Sequence, residues 1–141
     1  MANQSISQLK SILSDNGFSW TESRAAVFKS LAGGKPLSMN EVISKVNTQA
    51  DRVSVYRTIE LFERLGIVRR INVGWKYKIE LSDQFVAHHH HLSCLKCGQI
   101  IDIEDERHID KFIKEVADKF GFEPKNHQFE IDGICRNCLK S

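Results

Sequence analysis

His88-His89-His90-His91-Leu92-Ser93-Cys94-Leu95-Lys96-Cys97 is the most informative run in this chain, and it has an echo downstream in Cys135-Arg136-Asn137-Cys138. Each Cys-x-x-Cys pair places two thiolates on one tight turn. Two such pairs can close a tetrahedral Zn²⁺ site with metal–sulfur bonds of about 2.3 Å. The chain has four cysteines, and these two pairs use all of them. Unrelated buried thiols or a redox switch are the competing readings, but two Cys-x-x-Cys pairs at domain-scale separation favour zinc. Four thiolates leave no open coordination position, so the site is expected to be structural.

The histidines obey a different rule. Side chains of a strand point alternately to opposite faces. If the run opens a strand, His88 and His90 share one face and His89 and His91 the other. A single mononuclear site cannot readily take both pairs, so the spacing predicts two metal sites, each with a His-x-His pair. Further donors follow. A second strand over 100–104 carries Asp102 and Glu104. A helix over 106–120 has Ile109, Phe112, Ile113, Val116 and Phe120 as its apolar stripe, Asp110 on its flank and Gly121 at its end. A third strand over 127–134 brings His127 near its start and Cys135 just beyond its end. This small α/β unit has exposed strand edges and little core, a deficit that pairing with a second copy would repair.

The first half of the chain reads as helices followed by a hairpin. Residues 5–16 form a helix with Ile6, Leu9, Ile12 and Leu13 on one side and Gly17 as its stop. Thr21 caps a second helix, which Gly33, Gly34 and Pro36 end. Ser38 starts a third, with Glu41 completing a capping-box pattern. The fourth, over 51–65, has Asp51 as N-cap and Gly66 as terminator. At 100° per residue, Val55, Thr58, Ile59, Phe62 and Leu65 line one face, while Val53, Tyr56, Arg57, Glu60 and Arg64 take the other. Tyr56 and Arg57 therefore project from the first half of the helix, where a recognition helix meets base edges and phosphates. Arginine can contact guanine or phosphate, and a tyrosine ring can contact a thymine methyl. Strands over 67–71 and 75–81, separated by Asn72-Val73-Gly74, form a hairpin bearing Arg69, Arg70, Lys76 and Lys78. Helices plus a basic hairpin make a winged helix-turn-helix.

Charge divides along the same line. Residues 1–83 carry a net charge of +4 and residues 84–141 a net charge of −2. A basic front half suits phosphates and an acidic, His/Cys-rich back half suits cations. At 141 residues the chain allows one or two small domains. Two such domains would each be marginal without a metal or a partner. No apolar run approaches the roughly 20 residues of a membrane span, and the first residues are polar. The expected location is the cytoplasm, where cysteines are held as thiolates on zinc more often than as disulfides.

With Thr21-x-x-Arg24, Ser54-Val55-Tyr56-Arg57-Thr58, the His88–Cys97 run followed by Gly98, and His127 through Gly133-x-Cys135-x-x-Cys138 in view, the chain resembles the ferric uptake regulator superfamily. These are metal-dependent bacterial transcription regulators, responsive to iron, zinc or peroxide. The resemblance spans nearly the whole chain, with the motifs in order. It implies an α+β protein: a winged-helix DNA-binding domain over 1–82, a hinge over 83–87 and a small α/β metal-binding dimerisation domain over 88–141. It also implies a homodimer on double-stranded, palindromic DNA, with neither membrane nor small organic substrate as partner. Carried over residue by residue, Cys94, Cys97, Cys135 and Cys138 resemble the structural zinc ligands. Glu80, His89, His91 and Asp102 resemble the regulatory metal site, and His88, His90, Asp110 and His127 a second site. Tyr56 and Arg57, with Arg52 and Ser54 in the same turn and Arg24 as a phosphate contact, resemble the DNA-binding set.

One departure bears on the metal. Many members carry a histidine just before the third helix, whereas this chain reads Lys35-Pro36-Leu37-Ser38. The four donors that remain suit zinc better than iron(II) or manganese, which take five or six O/N ligands. Zinc sensors of the family, however, often use a cysteine in the regulatory site, and all four here are already committed. Both metals stand at this point, with manganese a third option. The expected function is a metal-dependent repressor of zinc or iron uptake genes, with an iron-loaded peroxide sensor as the alternative. A zinc hydrolase is the remote third reading. It would need an open coordination position and a general base, for which Glu104 is the one candidate, and no nucleophile motif accompanies it.

Overall fold

Asp51 starts the helix on which the first half of the molecule is organised. Its carboxylate accepts a hydrogen bond from the Ser54 amide at 2.7 Å. That bond satisfies one of the orphan donors at a helix start. The computed structural model describes residues 2–103 and 106–141. The chain divides into two compact units, Met1–Ala87 and His88–Ser141.

In the first unit, α1 (Ala2–Asp15), α2 (Glu22–Leu31), α3 (Met39–Val46) and α4 (Arg52–Arg64) precede a hairpin of β1 (Val68–Val73) and β2 (Lys76–Leu81). The caps are those the sequence foretells. The Thr21 hydroxyl accepts from the Arg24 amide, and Ser38 with Glu41 closes a full capping box. The apolar face of α4 is the hub: Val55, Ile59 and Phe62 are all but inaccessible and meet Leu9, Phe28 and Val42 in one cluster. Tyr56 and Arg57 lie on the opposite, exposed side. The expected hinge segment over 83–87 falls within this unit. Phe85 packs edge-on against Phe28, with ring centroids 5.0 Å apart.

Three features differ from the sequence reading. First, α1 begins at Ala2, earlier than residue 5. Second, Leu37 and Ile79 exchange backbone hydrogen bonds of 2.8 and 2.7 Å, adding a one-residue bridge to the hairpin. A single residue carries no periodicity to read. Third, the register pairs Val73 with Lys76, so the turn is Gly74-Trp75 and Trp75 lies outside the strands. Gly74 has φ +63°. A positive φ at the first central position is what a tight two-residue hairpin turn demands, and glycine takes it without strain. The first strand therefore runs to Val73, two residues further toward the tip than a linker over 72–74 would allow.

The second unit is a three-stranded sheet with helices. β3 (His90–Cys94) is central, antiparallel to β4 (Ile100–Ile103) and parallel to β5 (Glu130–Gly133). α5 (Glu106–Lys119) connects the last two strands, and a short α6 (Arg136–Leu139), absent from the sequence reading, follows. The strand expected over 127–134 shrinks to four residues, because β3 offers only His91 to Cys94 as partners. His127 thus precedes the strand. The stripe of α5 is largely uncovered, with Phe112 61% and Phe120 76% exposed. Glu104, the general base of the remote hydrolase reading, lies outside the described residues. No helix among the described residues is long and apolar enough to cross a membrane.

Two outcomes follow from α4. Phe62→Ala empties a fully buried site, and is expected to cost about 3–5 kcal/mol in equilibrium urea unfolding. The Asp51 carboxylate is held below its ordinary range, first by the Ser54 amide. Its stabilising effect is thus complete above the unfolded carboxylate pKa and fades as acid protonates the folded group. Asp51→Asn, which caps equally well without titrating, should remove the part of the acid dependence of helicity due to this cap. An unchanged acid profile by circular dichroism would show the cap to be irrelevant.

Candidate metal centres and nucleic-acid face

The parallel pairing of β3 with β5 sets Cys94 opposite Gly133. The two Cys-x-x-Cys turns, which follow these strand ends, therefore lie side by side. Gly98, at φ +77°, closes the first turn by donating to the Cys94 carbonyl at 2.9 Å. All four cysteines are free thiols, and their sulfurs lie within 4.8 Å of one another. Cys97 Sγ and Cys135 Sγ are 3.8 Å apart. A tetrahedron of metal–sulfur bonds near 2.3 Å has edges of about 3.8 Å, so the set fits zinc.

Its electrostatics fit too. The amides of Cys135 and Cys97 donate to Cys94 Sγ at 3.3 and 3.5 Å. These amides, Cys135 first, pull the Cys94 thiol down to about 6. Cys138 is pushed up to about 12, chiefly by the neighbouring Cys135 thiol. Amide donors thus favour ionisation at one sulfur, while hydrogen bonding to neighbouring thiols and burial oppose it at another. A divalent ion bound there would favour the thiolate at all four and release protons.

Two further groups flank β3. His88, His90, Asp110 and His127 place one ligand atom each within 4.8 Å of one another. Asp110 Oδ1 lies 3.3 Å from the Nε2 atoms of both His90 and His127, and 3.7 Å from that of His88. Ligands 2.0–2.1 Å from a tetrahedral metal are about 3.3 Å apart, so this donor set also fits a divalent ion. Burial lowers the pKa of His90, favouring the neutral imidazole that a metal requires. On the other face, the rings of His89 and His91 lie 4.6 Å apart. The register sets Asp102 directly opposite His91, with Oδ1 3.6 Å from His91 Nε2 and 4.0 Å from His89 Nε2. The remaining expected donor, Glu80, belongs to the first unit, on β2. There Arg69 reaches its Oε1 through Nε at 2.7 Å and through a terminal nitrogen at 2.6 Å.

On the first unit, Arg52, Val53, Tyr56 and Arg57 form the exposed face of α4, and Ser54 is half-buried beside the cap. Among the described residues neither Arg52 nor Arg57 joins a salt bridge. Arg24 is half-buried instead. It donates to the Ser19 carbonyl and lies over the Phe18 ring, 5.6 Å from its centroid. The wing is less basic than its sequence. Arg69 pairs with Glu80 and with Asp83, the latter at 3.2 Å. Arg70 pairs with Glu63 at 2.7 Å and stacks on Tyr77 at 4.2 Å. Lys76 and Lys78 join no salt bridge among the described residues. The expectation of four displayed cations is therefore corrected to two, because arginine–carboxylate pairs close within the unit. Sequence reasoning also missed Trp75, which Gly74 as a turn residue could have placed at the hairpin tip.

Cys135 supplies both a sulfur and the amide that polarises Cys94. Cys135→Ser should leave no metal that survives dialysis against chelator, where the parent chain retains about one zinc per protomer. Full retention by the variant, measured by atomic emission, would dismiss the four-cysteine centre.

A family model described as the ferric uptake regulator family matches residues 15–132. The ferric uptake regulation protein of Bacillus subtilis is 30% identical over 141 residues, covering 94% of this chain and 93% of its own length. The structure of the Helicobacter pylori ferric uptake regulator superposes with a TM-score of 0.83 at 23% identity, over 100% of this chain and 95% of that one, a likeness of fold. The ferric uptake regulator of Francisella tularensis, in a structure with iron, gives a TM-score of 0.71 at 29% identity, over 87% and 96% of the two chains. This chain belongs to the ferric uptake regulator family, whose members are metal-responsive, DNA-binding transcription regulators and not enzymes.

Proposed function

We propose that the protein is a cytoplasmic, homodimeric repressor that binds a palindromic operator when a regulatory divalent metal is bound, and that it controls metal homeostasis genes, those of zinc or iron uptake foremost. The observation that carries this reading is the separation of donors around β3. The four sulfurs converge on one closed cluster, while the histidines and carboxylates gather apart from it, in sets of nitrogen and oxygen. A closed thiolate cluster holds metal permanently; imidazole–carboxylate sets exchange it.

In this mechanism Cys94, Cys97, Cys135 and Cys138 hold structural zinc. Glu80, His89, His91 and Asp102 take the regulatory metal, and His88, His90, Asp110 and His127 a second ion. Glu80 stands just before the segment over 83–87, and His89 and His91 just after it. A metal shared by these residues restrains that segment and fixes the spacing of the two recognition helices of the dimer. Two helices so fixed meet successive major grooves about 34 Å apart. Arg69 supports the ligand role: its guanidinium, held at Glu80 Oε1, would orient the carboxylate. On α4, Tyr56 and Arg57 read the groove, with Arg52 and Ser54 beside them and Arg24 toward the backbone. Metal acts by population shift, and its effect is bounded by its differential affinity for the two states.

Zinc is the metal that four donors suit. Iron(II) is the rival, because the regulatory set holds no sulfur. Iron there would also permit the second reading, a peroxide sensor whose histidine ligands are oxidised in place.

The test is DNA-binding anisotropy on a duplex from the region upstream of this gene. Zinc, iron(II) and manganese are titrated separately, with structural zinc retained. One metal is expected to tighten binding at least about tenfold, which is about 1.4 kcal/mol, and His89→Ala to abolish the gain. Binding that ignores every metal would remove the histidines from the switch. Histidine oxidation by peroxide in the iron form, but not in the zinc form, would select the second reading.

A further inference from the structure

Trp75 is 90% exposed, more than any other large hydrophobic residue described. It occupies the second position of the two-residue turn that joins β1 to β2. A tryptophan side chain carries on the order of 150–250 Å² of surface that prefers burial. A single exposed apolar residue is ordinary on a protein surface; the surroundings of this one are not. Trp75, Lys76 and Tyr77 border an open groove of about 310 Å³, whose other walls are Ser38 to Asn40 at the start of α3 and Tyr56 of α4. The hairpin tip and the recognition helix thus open onto one surface.

The chemistry of that groove is specific in kind. No carboxylate lines it. Lys76 Nζ lies 5.2 Å from the centre of the Trp75 ring, so the cation is held beside an aromatic face. Arg70, which could have competed for an anion, is neutralised by Glu63. The groove therefore offers one uncompensated cation, two phenol rings and an indole. A duplex strand presents the complementary set: a phosphate at each step and the apolar face of a deoxyribose between.

We propose that Trp75 and Lys76 form a second DNA contact, gripping the sugar–phosphate backbone that borders the major groove entered by α4. The inference rests on the DNA-binding reading above and adds to it a contact on the wing. When Tyr56 lies in the major groove, the strand at the groove's edge passes beside it, and the space beside Tyr56 on the wing side is this groove. The indole packs on the sugar and Lys76 meets the phosphate. Neither reads a base edge, so the pair sets affinity and register rather than sequence choice.

The test uses the whole 141-residue chain, metal-loaded, and two duplexes of about 30 base pairs, the upstream fragment and a scramble of equal composition, at low salt. Trp75→Ala is expected to weaken binding to both duplexes by the same factor, about tenfold. Trp75→Phe should recover most of the loss. Lys76→Gln should weaken both and reduce the salt slope by about one. Tyr56→Ala, by contrast, should erode any preference between the duplexes. In a Trp20→Phe background, DNA should shield the remaining indole from iodide quenching. Melting temperature and zinc content report that the exposed tip can be changed without unfolding. Unchanged affinity of Trp75→Ala overturns the proposal, as does a defect confined to loading a second dimer, which would make the tip a protein contact. If the parent protein binds neither duplex, the reading of the α4 face fails first and the wing contact with it.

Discussion

The parallel register that sets β3 against β5 is the constraint on which the second unit depends. Strands of four or five residues make few ladder bonds, and among the described residues of this unit only His90, His91, Ser93, Cys94 and Ala117 are buried. Such a core falls well short of what a domain of this size needs. The same register, however, places Cys94 and Cys97 beside Cys135 and Cys138. Thiolate–zinc binding releases about 10–16 kcal/mol in small zinc domains, a quantity comparable with the whole stability of an ordinary one. Metal at this corner would fix the C-terminal end of β3, and with it the strand whose other end carries the histidines.

From that fixed strand the rest of the donor geometry follows. His90 and His91 are adjacent in sequence yet face opposite ways, because the strand alternates. Their neighbours join them accordingly: the ring of His88 lies 4.7 Å from that of His90, and the ring of His89 4.6 Å from that of His91. Each pair then meets a different carboxylate, Asp110 from α5 on one side and Asp102 from β4 on the other. The loop that delivers His127 needs no regular structure, since its imidazole is positioned by contact with Asp110 and His88.

This is why so much was legible in the sequence and why some was not. Helix faces, caps and histidine alternation are local: they depend on periods of 3.6 and 2 and on residues three apart, so Asp51, Ser38 with Glu41, and the Val55–Ile59–Phe62 face could be read directly. The family resemblance supplied the donor sets that join distant segments. What escaped were tertiary pairings between residues of ordinary type. Nothing in the sequence ties Arg69 to Glu80 eleven residues on, or Arg70 to Glu63 seven residues back, and those two bonds remove half of the wing's apparent charge. The turn was misplaced by one or two residues because Asn72 and Gly74 are both turn formers. The register, set by the burial of Val68, Ile79 and Leu81, decides between them.

The wing then takes on a role that a list of ligands would miss. In the proposed mechanism β2 carries a metal ligand, Glu80, near one end, and a backbone contact, Lys76, at the other. Four residue steps along the strand separate them, about 13 Å at 3.3 Å per residue. The segment between is held on one side by β1 and on the other by the Leu37–Ile79 bridge, so it moves as one body. A metal that holds Glu80 thereby restrains the tip that grips DNA, without any chain of rearranging side chains. Linkage requires the reverse as well: DNA that holds the tip must strengthen metal binding by the same factor. Val68, Ile79 and Leu81 of the hairpin share one core with Val55, Ile59 and Phe62 of α4, so a metal on Glu80 would place tip and recognition helix together, through the spacing of the two halves of a dimer.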